Sequence, residues 1–133
     1  MKKYKIDIIV PVYNEELHIA KFYDTLNDNL TCSFRVIFVD DGSSDGSWSV
    51  IQEISNSNSK ALGLRFYKNF GKEAAIRAGL EKSTAKAVVV IDADMQHPVE
   101  IVNEMVELWS KGETLVVEAV SYTHLTLPTI CSV

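Results

Sequence analysis

Residues 88–96 read Val-Val-Val-Ile-Asp-Ala-Asp-Met-Gln, so a β-branched run ends in two carboxylates, Asp92 and Asp94, one residue apart. β-Branched residues favour strands, and a strand here delivers both acids to its C-terminal tip. In a parallel sheet, ligands bind just beyond the strand C-termini. Hard carboxylate oxygens on a rigid element suit Mg²⁺ or Mn²⁺, and those ions suit a diphosphate. Gln96 offers a neutral oxygen to the same ion. A lone Asp at a strand end is most often only a helix cap. A second acidic pair, Asp40-Asp41, closes another apolar run, and two such pairs need more explanation than capping. Carboxylates converging without a cation repel one another; a divalent ion, or a bound base and ribose, relieves that repulsion.

The elements that must position these groups follow from the apolar pattern. Residues 5–12, 34–39, 61–67 and 87–91 are short apolar runs of strand type, and residues 115–117 begin a fifth. Between them lie helical stretches. Asn14 is expected to cap the first, with Glu15 and Glu16 in its opening turn. A second runs through Val50, Ile51 and Ile54, a third spans residues 71–80, and a fourth opens at His97-Pro98 and stops near Gly112. The order βαβαβαβαβ predicts an α/β fold, a mostly parallel sheet with helices on both faces. Loops after the first, second and fourth strands then meet at one sheet edge: Tyr13-Asn14-Glu15, Asp40-Asp41-Gly42-Ser43 and Asp92-Ala93-Asp94. The loop after the third strand, Lys68-Asn-Phe-Gly-Lys-Glu73, places Gly71 before a helix N-terminus and Lys72 within it. Such glycines permit close backbone approach, and Lys72 is suited to a phosphate. Asn14 and Asp45 are read as helix caps.

The bulk numbers exclude several classes. The chain has 133 residues, 47% hydrophobic and 23% charged, with a net charge of −5 and no basic block; one domain is expected and nucleic acid is not an expected partner. The basic start at Lys2, Lys3 and Lys5 precedes an apolar run too short for a secretory core or a membrane span. Cys32 and Cys131 have neither metal-ligand spacing nor the number for a disulfide framework, which fits a reducing, cytoplasmic setting. No Gly-x-Gly-x-x-Gly follows the first strand, no P-loop is present, and the three histidines make no triad or zinc pattern. The remaining chemistry is metal-assisted group transfer from a nucleoside diphosphate, the cation neutralising charge on the leaving diphosphate.

Four motifs stand in order: Pro11-Val-Tyr-Asn-Glu-Glu16, Val39-Asp-Asp-Gly-Ser-Ser-Asp-Gly-Ser47, Lys68-Asn-Phe-Gly-Lys-Glu-Ala-Ala75 and Asp92-Ala-Asp-Met-Gln96. Together they resemble the family 2 glycosyltransferases of GT-A (Rossmann-like) fold, in particular the polyprenyl-phosphate sugar transferases of the dolichol-phosphate and bactoprenol type. The resemblance implies that Pro11, Tyr13 and Glu15 line a nucleotide pocket. It implies that Asp40 and Asp41 hold base and ribose, Asp41 being the choice for the base. Asp92, Asp94 and Gln96 would bind Mg²⁺ or Mn²⁺ and, through it, the diphosphate; Asp92 thus belongs to nucleotide and metal alike. The implied reaction inverts the anomeric carbon by direct displacement, moving a sugar from a UDP- or GDP-sugar to a polyprenyl phosphate. That acceptor is already anionic, so a strong general base is less needed. Lys68 stands where such proteins often have Arg, keeping the charge without the bidentate fork.

The resemblance covers residues 5–119. Residues 120–129 read as translated sequencing adapter, so 1–119 is expected to be the N-terminal donor-nucleotide-binding half of a GT-A domain and 120–133 a non-native tail. The acceptor half, with the catalytic residues on that side, would then lie outside the chain. So would C-terminal helices holding a full-length relative at the cytoplasmic face of the inner membrane. The fragment is expected to be inactive, or nearly so, with its last strand lacking a partner. Three competing readings remain. A donor-binding fragment without catalysis shares every motif. A nucleotidyltransferase needs a glycine-rich basic loop after the first strand, where this chain has an acidic one. A phosphoacceptor regulatory domain needs an acidic pair after strand one and a single Asp after strand three, whereas this chain has its pairs after strands two and four.

Overall fold

The computed structural model describes residues 4–94, 100–111, 116–119 and 129–132. In chain order the elements are β1 (Ile6–Val12), α1 (Ile19–Asn29), β2 (Phe34–Asp40), α2 (Ser47–Ser57), β3 (Ala61–Arg65), α3 (Lys72–Lys82), β4 (Ala87–Val90), α4 (Glu100–Ser110), β5 (Val116–Ala119) and β6 (Thr129–Ser132). The strands form one sheet in the order β3-β2-β1-β4-β6-β5. β1 sits in the parallel part, paired with β2 from Ile6↔Phe34 to Val12↔Asp40 and with β4 from Ile6↔Ala87 to Ile9↔Val90. The chain keeps following β1 after β4 ends, since Ile91 N–H donates to the Ile9 carbonyl at 3.0 Å. That extension carries Asp92 to the level of Pro11, near the C-terminal end of β1.

Alternation along the strands divides the core. Ile6, Ile8, Val10 and Val12 of β1 face one way, with Phe34, Val36 and Phe38 of β2, and pack with Ile19, Phe22 and Leu26 of α1, Ile51 of α2, and Val102, Met105 and Val106 of α4. Ile9, Ile37, Val39, Val88 and Val90 face the other way and pack with Ala75 and Ile76 of α3. Helices therefore cover both faces, three on one and α3 on the other. α3 lies close to the sheet because Gly79 has no side chain: a Cβ there would stand 2.6 Å from Ile9 Cγ2.

Two elements differ from the sequence expectation. α1 begins at Ile19, not after Asn14, because Asn14 adopts a left-handed φ of 53° and its side chain serves the neighbouring loop. The second difference lies in the region read as a non-native tail. Thr129–Ser132 forms β6, which runs antiparallel between β4 and β5. The outer edge of β4 offers a row of unpaired N–H and C=O groups, which recruits any extended segment within reach. β5 accordingly has a partner, and the sheet is mostly parallel, as expected. The opening of the fourth helix at His97-Pro98 lies outside the described residues.

Candidate active site

The C-terminal edge of β1, β2 and β4 carries a cleft of about 160 Å³ lined by Pro11, Val12, Tyr13, Glu15, Asp41, Lys72, Asp92, Ala93 and Asp94. Parallel pairing with matched register is what brings these sequence-distant residues to one edge. Every candidate residue named from the sequence is in that lining except Asp40 and Gln96. Gln96 lies outside the described residues.

The loops are fastened to one another by short polar side chains. Asn14 Oδ1 accepts from Ser44 N–H at 2.9 Å and Asp45 N–H at 3.3 Å, and Asn14 N–H donates to Ser43 Oγ at 2.8 Å. Glu15 N–H donates to Ser47 Oγ at 2.9 Å, and that hydroxyl donates to Asp45 Oδ1 at 2.6 Å. Slight burial pushes the Asp45 carboxyl up, but its bonds from the Ser47 hydroxyl, Ser47 N–H and Glu16 N–H outweigh this and hold it below 3.8. The N-cap of α2 is Gly46 rather than Asp45, which stands one residue earlier and accepts the first N–H of α2 at 2.9 Å, whereas Asn14 clamps two loops together.

The two acids at the end of β2 do different things. Asp41 is buried and its carboxylate is held by the loop after β3. Phe70 N–H donates to Oδ1 at 2.8 Å, and Gly71 N–H and Asn69 Nδ2 donate to Oδ2 at 3.1 Å each. Gly42, at φ +73°, is where those loops touch: a Cβ would stand 2.3 Å from the Lys68 carbonyl carbon. Asp40 is fully buried behind the cleft. Its Oδ1 accepts Ser43 N–H at 3.2 Å, its Oδ2 has no hydrogen-bond partner among the described residues, and Arg65 Nε lies 3.9 Å away. At Gly71 the backbone needs glycine for its φ of +102°, not for room, since nothing lies within 4 Å of a Cβ there.

On the other side of the cleft, Lys72 Nζ stands 2.9 Å from Asp92 Oδ1 and 3.0 Å from Oδ2. Asp94 is exposed in the same lining. Among the described residues no three His, Cys, Asp or Glu side chains are grouped to hold a metal. The donor set nevertheless fits Mg²⁺ or Mn²⁺. Mg²⁺ is usually bound by one or two carboxylates, the remaining positions going to substrate phosphates and water, and Asp92 already attracts a cation. Residues 41–47 read from the sequence as a turn rich in short polar side chains that bond nearby backbone; sequence reasoning missed that Ser43 and Ser47 reach across to the loop after β1 and that Asn69 holds Asp41.

The fold and cleft have counterparts. A prophage bactoprenol glucosyl transferase homolog of Escherichia coli (strain K12) is 37% identical over 115 residues, 84% of this chain and 38% of that protein. The chain thus spans well under half the length of the curated relatives it matches. Among solved structures, a Pyrobaculum calidifontis mannosyltransferase in complex with GDP-Man and Mn²⁺ superposes with a TM-score of 0.65 at 23% identity, over 81% of this chain and 33% of that one. S. aureus TarS 1-349 in complex with UDP-GlcNAc superposes with a TM-score of 0.70 at 20% identity, over 92% of this chain and 37% of that one. These two share the GT-A arrangement of sheet and helices. The sequence model described as glycosyl transferase family 2 matches residues 7–126, which take in all four motifs and every strand around the cleft, and the chain belongs to that family.

Proposed function

We propose that this chain is the donor-nucleotide side of a metal-dependent inverting glycosyltransferase that moves a sugar from a UDP- or GDP-sugar to a polyprenyl phosphate. The observation that carries this reading is the single cleft shared by Asp41, Lys72, Asp92 and Asp94. Mannosyl and N-acetylglucosaminyl donors in the solved relatives, and bactoprenol in the name of the sequence relative, support the donor and acceptor classes. Pro11, Tyr13 and Glu15 bound the nucleoside side of the cleft, and Asp41 contacts the base. Tyr13 is half exposed and presents an aromatic face for stacking. Asp92 and Asp94, with Gln96, hold Mg²⁺ or Mn²⁺. A bound divalent ion supplies neutralisation of the negative charge that grows on the leaving diphosphate. Asp40 braces the loop that presents Asp41. The acceptor phosphate attacks the anomeric carbon from the open side as the sugar–diphosphate bond breaks, inverting the configuration.

Residues 1–119 form this donor part, and 120–133 are an added tail of which 129–132 pairs with β4. Transfer to the lipid phosphate takes place at the cytoplasmic face of the inner membrane. Among the described residues no helix is long and apolar enough to cross a membrane. Calorimetric titration with UDP and with GDP, each with and without Mn²⁺, tests the reading. Manganese-dependent binding of one nucleotide is expected. Absence of binding by either, from a chain shown to be folded, overturns it.

A further inference from the structure

Lys72 occupies the place on Asp92 that a divalent ion requires. Its single ammonium spans both carboxylate oxygens at 2.9 and 3.0 Å, and an ammonium and a metal cannot use the same lone pairs together. The pair is open to solvent, with 58% of the lysine side chain and 35% of the aspartate exposed. The amine sits on a flexible four-carbon stem at the first residue of α3. It can therefore leave Asp92 by rotamer change alone, with no movement of the helix. Asp94, Asp41 and Glu15 line the same cleft, so the amine leaves Asp92 in acidic surroundings.

We infer that Lys72 is an exchangeable counter-ion: it holds Asp92 while the cleft lacks donor, yields it to the divalent ion, and then pairs with the incoming diphosphate. This rests on the donor reading above. The exchange is inexpensive because exposed ion pairs contribute little. A lysine suits it better than an arginine, whose rigid fork would lock onto the carboxylate. The consequence is coupling between two ligands. Metal alone competes with Lys72, whereas metal with nucleotide gives the displaced ammonium a second anion, so each ligand strengthens the other.

The test uses the whole chain, wild type and Lys72→Met, titrated with Mn²⁺ alone and with Mn²⁺ plus UDP or GDP, reading free Mn²⁺ by its paramagnetic resonance signal. Lys72→Met is expected to bind Mn²⁺ alone about 2- to 5-fold more tightly, having lost the competing ammonium. It is expected to bind nucleotide at saturating Mn²⁺ roughly 10-fold more weakly, having lost a charge-assisted contact to phosphate. A second readout is the rate at which an amine acylating reagent labels Lys72. Labelling should rise with Mn²⁺ alone and fall again when nucleotide is added, and Asp92→Asn should label fast without metal. If wild type binds Mn²⁺ and nucleotide while Lys72→Met changes neither affinity and labelling stays flat, the counter-ion role is wrong and the donor site stands. If wild type binds neither nucleotide with Mn²⁺, the donor reading fails and takes this inference with it.

Discussion

Asp7 and Asp92 stand toward opposite ends of the same parallel sheet, and their surroundings differ in kind. Asp7, near the start of β1, is fully buried. Its carboxylate accepts from Arg35 Nε at 3.0 Å and Nη2 at 3.2 Å, Ser83 Oγ at 2.8 Å, Thr84 N–H at 2.8 Å and Ala85 N–H at 3.0 Å. The protein holds it from several sides. Asp92, past the end of β4, has a solvated lysine on its two oxygens and remains partly exposed. Asp40 lies between these extremes, buried but with Oδ2 lacking a hydrogen bond among the described residues. The difference teaches where to look for function. An aspartate held by donors from several elements ties them together, here β1, β2 and the α3–β4 turn. An aspartate whose one tether among the described residues is exchangeable is available to a ligand.

Breaking the firmly held end should have the largest effect. Asp7→Ala leaves Arg35 without its partner in a mostly buried site and should cost about 3–5 kcal/mol in urea unfolding; a loss under about 1 kcal/mol would remove Asp7 from the structural class. Asp92→Asn and Asp94→Asn should do the opposite. Manganese-dependent nucleotide binding should drop by about 100-fold or more by calorimetry, with stability within about 0.5 kcal/mol of wild type, as for surface changes. The same division predicts that Asp94→Ala in a full-length relative abolishes metal-dependent transfer. Gly42→Ala probes the contact that positions Asp41. A Cβ would meet Lys68 backbone at a positive φ, so a loss of about 1–3 kcal/mol is expected together with weaker nucleotide binding.

The smallest effect is in acid. Burial raises the Asp7 carboxyl, but the bonds from Ala85 N–H, Arg35, Thr84 N–H and Ser83 together outweigh it and hold it below its ordinary 3.8. A depressed folded value means the stabilisation is complete above pH 3.8 and is lost as pH falls through the lower folded value. Asp7→Asn should therefore flatten the acid limb of the stability curve below that pH. An unchanged limb, followed by circular dichroism across the titration, would show that other carboxylates govern it.

Much of the site was legible because strand-tip acids and apolar runs are local signals. Pro11, Tyr13, Glu15, Asp41, Lys72, Asp92 and Asp94 were each named from motif and element position, and all line one cleft. Asn14 was not legible as a loop clamp, because a capping residue and a residue with φ of 53° have the same sequence signature. Nor was β6 legible. The pattern of residues 129–132 is too short to declare a strand, and only the bare edge of β4 gives it something to pair with.

The sequence by itself determined the alternation of strands and helices, the carboxylates at strand ends and the family, because these depend on residue type and spacing along the chain. Tertiary structure alone decided which acid faces the cleft and which is sealed behind it. Asp40 and Asp41 are adjacent in sequence and end the same strand, yet successive side chains of extended chain point to opposite sides. Asp41 meets the Phe70-Gly71 backbone in the cleft wall, while Asp40 turns into the protein toward Arg65. The pairing of Lys72 with Asp92, twenty residues apart, likewise exists only because β4 lies beside β1 and α3 packs across the sheet onto Ile9.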